Sequence, residues 1–164
     1  MSSPSARPLP PLPDTEGAMV DVLLLPGWQG SGANHWQMRW ARLYGYAVLE
    51  QSDWSHPLRG DWLARLDACV IDAPRPVVLA AHSLGCILVA AWAGLSRHTP
   101  RVRGALLVAP VDTEAPLLRD RLPGWSPIPR QSLPFPCAVV GSQNDAFCTH
   151  TRAQGLAQDW GAHW

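Results

Sequence analysis

The chain has no CxxC pair, no run of one charge sign and no apolar stretch near bilayer length, and each absence removes a class of function. Its four cysteines, Cys69, Cys86, Cys137 and Cys148, show no paired metal-ligand spacing, so no metal is expected. Cys69, Cys86 and Cys137 sit inside apolar segments and read as small hydrophobes. Thirteen basic residues balance thirteen acidic ones. That leaves no electrostatic footprint for nucleic acid or an anionic membrane. No run approaches the ~20 apolar residues that span a bilayer. The first residues lack the sustained apolar stretch of a secretory leader, and a reducing cytoplasm is the expected compartment.

What is present is a globular composition, 47% apolar and 16% charged over 164 residues, most economically one domain. Residues 1–18 are rich in Pro and Ser without periodicity and read as a disordered arm. Residues 19–164 read as the domain. There the pattern alternates. Apolar runs at Val20–Leu25, Tyr46–Glu50, Val77–Ala81, Gly104–Ala109 and Cys137–Gly141 read as strands. Between them, helical spacing places Trp36, Trp40 and Leu43 on one face, with Asn34 or Ser31 as the cap. Trp62, Leu66, Cys69 and Val70 share another, with Asp61 as the cap. Further helices are expected over 84–96 and 149–160, and His163-Trp164 open another strand. Strands alternating with helices predict an α/β three-layer sandwich around a mostly parallel sheet. The Pro-rich excursion 111–136 reads as a lid or binding loop, or hides a short helix over 117–121.

The run VVLAAHSLGCILVAAWAG, residues 77–94, carries the chemical signal. An apolar strand passes through Ala81-His82-Ser83-Leu84-Gly85 into a helix, which is the context of a nucleophile elbow. Small residues two positions either side of the serine let strand and helix approach. The alternative is a Ser-Gly turn that only starts the helix, but ligands of open α/β sheets bind at the carboxyl ends of strands. The amide of Leu84 then points at a developing oxyanion, and the amide of Trp28, in the Gly-rich loop 26–32, is the second donor. A serine needs a base and an orienting acid. Asp145, in the loop after the fifth strand, is the candidate acid; its other reading is a turn or helix cap. Asp112 is the reserve.

Ala-His-Ser-Leu-Gly-Cys after Val-Val-Leu, and Pro-Phe-Pro-Cys-Ala-Val-Val-Gly-Ser-Gln-Asn-Asp-Ala-Phe-Cys at 134–148, resemble the retinoblastoma-binding-protein-9-like serine hydrolases, small members of the α/β-hydrolase fold. Asp61-Trp62-Leu63 and the Pro-rich stretch 127–136 fit as well. The resemblance runs from about Val20 to Trp164. It implies a cytoplasmic, cofactor-free hydrolase of esters or related acyl bonds of a small molecule, with Ser83 and Asp145 in a Ser-Asp-His triad. In that family the histidine lies in a Gly-His-Ile-Asn-like segment past the strand that follows the last helix. His163 falls within that strand here, and His150 at a helix start. His82 is expected to point away from its serine neighbour, and His35, His56 and His98 to lie on loops or helix surfaces. The expectation is therefore a histidine beyond residue 164, a domain lacking its last strand and helix, and an exposed sheet edge. A non-catalytic binding protein of the same fold and an acyltransferase are the rival readings.

Overall fold

Five parallel strands carry the structure. The computed structural model describes residues 19–164, so the arm expected at 1–18 lies outside the described residues. In chain order the elements are β1 (Asp21–Leu25), α1 (Trp36–Tyr44), β2 (Ala47–Val48), α2 (Arg59–Asp72), β3 (Val77–His82), α3 (Leu84–Ala93), β4 (Val102–Val108), α4 (Pro116–Arg119), β5 (Cys137–Val140) and α5 (His150–Asp159). A 3₁₀ turn at Thr99–Arg101 leads into β4. The sheet runs β2-β1-β3-β4-β5 with every pair parallel. The order reverses between β1 and β3, and the crevice at such a switch point is where open α/β sheets hold ligands.

The sheet forms because its strands bury residues on both faces. Leu24, Leu25, Leu79, Ala81 and Leu107 are almost wholly inaccessible, and helix α3 is buried from Leu84 through Trp92. A helix apolar on every side has no solvent face to present and is driven into the core. That explains why α3 follows the central strand directly. The α1 helix ends at Gly45, whose φ of 69° is the left-handed cap that glycine adopts without a Cβ penalty.

The single-domain α/β architecture matches the expectation, while several boundaries differ. The α1 cap is His35, whose Nδ1 accepts from the Gln37 amide at 3.3 Å, rather than Asn34 or Ser31. Asp61 sits in the first turn of α2 behind the cap residue Leu58. There its charge still faces the positive end of the helix. Helix α3 stops at Ala93, three residues early, and the expected second strand shrinks to Ala47–Val48. Past α5, His163 forms an isolated parallel bridge with Ala138, with Val139 donating to His163 and His163 to Cys137. Among the described residues no helix is long and apolar enough to cross a membrane.

Candidate active site

Ser83 sits at φ 55°, ψ −117°, between the last residue of β3 and the first of α3. A non-glycine residue held there costs about 1–3 kcal/mol and persists only where its surroundings over-determine it. They do. The Ser83 amide donates to the Val108 carbonyl at 3.0 Å, and the Ser83 carbonyl accepts from Cys86 at 3.0 Å. Two glycines complete the fit. A Cβ on Gly85 would meet the Leu25 carbonyl oxygen at 2.5 Å. One on Gly27 would meet Ser83 Cβ at 2.8 Å and the Leu84 nitrogen at 3.0 Å. The loop after β1 therefore lies directly on the β3–α3 turn.

Ser83 is half-buried and lines a cleft of about 390 Å³. Loop 28–32, Leu118, Leu122 and Phe147 form much of its wall. Its Oγ makes no hydrogen bond among the described residues. The Trp28 and Leu84 amides likewise have no acceptor among them. The Trp28 indole donates to the Ser55 carbonyl at 2.9 Å, and Gln29 donates to the Trp54 carbonyl at 2.8 Å, tying the loop to the segment after β2. Cys86, one turn further along α3, is no rival nucleophile. Burial pushes its thiol far up, and burial likewise pushes Cys148 up to about 11, so neither is a thiolate near neutrality.

Asp145 is half-buried in the loop after β5, its Oδ1 accepting from the Phe147 amide at 2.8 Å. Its charge reaches His82, the residue before Ser83. Asp112, the reserve acid, meets Arg152 at 3.3 Å and accepts from the Glu114 amide at 3.1 Å.

His35 and His82 both line the Ser83 cleft, their rings edge to face with centroids 4.4 Å apart, and His82 also approaches Trp36 at 6.4 Å. His82 closes β3 with its ring turned to the start of α1, against His35 and Trp36. Neither ring hydrogen-bonds Ser83 or Asp145. Burial, with the His35 ring adding to it and Asp145 opposing, lowers His82 from 6.5 to about 4. Burial also lowers His35. The unfolded chain therefore takes up a proton at His82 before the folded one does. Stability is expected to fall as pH drops from 6.5 toward about 4. An imidazole NMR titration checks this: His82 should stay neutral at pH 5, and a midpoint above 6 would refute the buried pair.

The other four histidines lie elsewhere. His56 pairs with Asp53 at 3.7 Å, His98 with Asp67 at 3.2 Å, His150 stacks edge to face on Trp164, and His163 is in its bridge to Ala138. No described histidine bonds Ser83 or Asp145. Nor do the described residues bring three His, Cys, Asp or Glu side chains together as a metal site.

A strained serine at the carboxyl edge of a parallel sheet, beneath a glycine-rich loop, defines an α/β hydrolase-type chain. The sequence matches the serine hydrolase family over residues 22–164, and the chain belongs to that family. Among solved structures it is similar to a YdeN-like hydrolase from Pectobacterium atrosepticum, at 26% identity over 88% of this chain and 74% of that one, with a TM-score of 0.75. It also resembles the ydeN gene product of B. subtilis, at 21% identity over 88% of this chain and 82% of that one, with a TM-score of 0.68. A lipase/esterase from Lactobacillus plantarum shares the fold at 15% identity over 92% of this chain and 76% of that one, with a TM-score of 0.61. No curated protein matches the chain.

Proposed function

We propose that this serine hydrolase family member cleaves esters or related acyl bonds of a small molecule through Ser83, in the manner of the retinoblastoma-binding-protein-9-like enzymes it resembles. The observation that carries the reading is the strained turn itself: Ser83 at φ 55° lines a cleft beside two unengaged backbone amides. The turn acts as a nucleophile elbow. Ser83 Oγ attacks the acyl carbonyl and its proton passes to a base. The amides of Trp28 and Leu84 hold the oxyanion as it forms. Collapse expels the alcohol, protonated by that base, and water releases the acyl group by the same steps in reverse roles. Asp145 orients the base. In the enzymes the chain resembles, that base is a histidine. The walls offer Leu118, Leu122, Phe147 and Trp28 to an apolar or aromatic acyl group.

The second reading is a binding protein that keeps the fold without the chemistry, favoured by the lack of a histidine bonded to Ser83 among the described residues. A fluorophosphonate separates the two. Peptide mapping is expected to find the adduct on Ser83, and none on a Ser83→Ala variant. Failure of wild type to label would establish the binding protein.

A further inference from the structure

A buried primary amide is costly unless its hydrogen bonds are made, and Gln37 is fully buried, one of two buried polar side chains among the described residues. It lies in the first turn of α1, and its bonds run away from the helix. Nε2 donates to the Leu25 carbonyl at 2.9 Å and to the Ala80 carbonyl at 2.9 Å. Oε1 accepts from Ser31 Oγ at 2.9 Å. Two carbonyls can only accept, so the amide orientation is fixed by chemistry.

The three partners occupy particular places. Leu25 ends β1 immediately before the loop that carries Trp28. Ala80 lies three residues before Ser83 on β3. Ser31 stands at the far end of the Gly-rich loop. One side chain therefore spans the point where the strand order reverses, holding β1 to β3 with one nitrogen and the loop's exit with its oxygen.

Resting on the serine hydrolase reading above, we infer that Gln37 is a positioning residue that sets the Trp28 amide against the Leu84 amide, so that both address one oxyanion. The loop between its two anchors is glycine-rich, with left-handed backbone at Gln29 and Gly30. Its middle is held by the Gly30 amide on the Gly27 carbonyl at 3.0 Å and by the Trp28 and Gln29 bonds to Ser55 and Trp54, and Gln37 holds its two ends. Pinned at Leu25 and Ser31 and referenced to Ala80, it presents Trp28 N–H at a fixed distance from the elbow. Preorganised donors are effective only because they need no rearrangement when charge develops.

Phenylboronic acid reads this property, because it forms a reversible bond to a serine Oγ. The Oγ proton is released to the base or to water, and the resulting tetrahedral boronate anion places a hydroxyl oxygen that shares its negative charge in the donor site. Affinity is measured by ¹¹B NMR on wild type, Gln37→Met, Ser31→Ala and Ser83→Ala, with melting temperatures alongside. Gln37→Met matches the side chain's length without its amide, and a donor misplaced by 1 Å weakens the adduct by about 100-fold. Ser31→Ala removes one bond at the loop's exit and is expected to weaken it by about fivefold, with the fold intact. Ser83→Ala abolishes it. If Gln37 only docks α1, melting temperatures fall while boronate affinity in both variants stays within twofold of wild type, and the inference is overturned. Should Gln37→Met not fold, Ser31→Ala alone decides between those outcomes. Wild type failing to bind boronate would instead overturn the hydrolase reading, and this inference with it.

Discussion

Gly85→Ala is expected to destabilise the protein by about 2 kcal/mol, although alanine is the better helix former. In an exposed helix the substitution gains about 1 kcal/mol. At Gly85 the new methyl would lie 2.5 Å from the Leu25 carbonyl oxygen and 3.2 Å from the Pro26 oxygen. Both atoms are backbone, and Leu25 is held further by its strand and by Gln37, so no side chain can swing aside. Relief requires α3 to move off β1, carrying the Ser83 turn away from the loop. Melting temperature should fall by roughly 4–8 °C, at about 2–4 °C per kcal/mol for a chain of this size. Labelling of Ser83 should fall further, by about 100-fold for a shift of 1 Å. Gly155→Ala is the control. Its Cβ meets nothing within 4 Å in α5, so there the same substitution should stabilise by about 1 kcal/mol. Equal effects at the two glycines would show that the contact between α3 and β1 is not tight.

The contrast between these glycines marks where sequence reasoning succeeds. The five strands were legible because a strand buried on both faces is a short apolar run, and the alternation with helices implied a parallel sheet. Helix caps were not. His35 displaces Asn34 and Ser31 because the chain turns late, and Ser31's hydroxyl is already committed to Gln37. The two-residue β2 is shorter than its apolar run, since only Leu23 and Leu24 of β1 find partners in it.

Ser83 and the candidate acid Asp145 could be singled out because each carries a local signal, a turn flanked by small residues and a polar loop after a strand. The meeting of His35 and His82 carries none. They are far apart in sequence, and only the pairing of β1 with β3 brings the start of α1 over the end of β3. Gln37 was hidden differently. Between Trp36 and Trp40 it looks like the polar side of an amphipathic helix, and nothing local says that two strand-end carbonyls wait beneath it. A polar residue flanked by large aromatics on an early helical turn is the one local clue.

Trp125→Ala should be among the most damaging single substitutions, costing about 3–5 kcal/mol. The ring is fully buried, packs edge to face on Trp62 at 5.4 Å, and Trp62 does the same with Trp54 at 5.6 Å. Its Nε1 donates to the Pro57 carbonyl at 2.9 Å, and its own carbonyl accepts from the buried Thr113 hydroxyl at 2.9 Å. Truncation removes the ring and orphans the Pro57 carbonyl. Trp125→Phe separates the two, since it keeps most of the volume and leaves the unpaired carbonyl, at about 1–3 kcal/mol. The functional consequence follows from where the residue sits. Trp125 rivets the excursion between β4 and β5, and that excursion carries Leu118 and Leu122 into the wall of the Ser83 cleft. Urea unfolding gives the stability, and the loss should be accompanied by a raised KM for bulky acyl esters, with labelling by a small fluorophosphonate largely retained. A Trp125→Ala protein within 1 kcal/mol of wild type would mean that the excursion is anchored elsewhere, by the Arg152 contacts to Asp112 and Glu114.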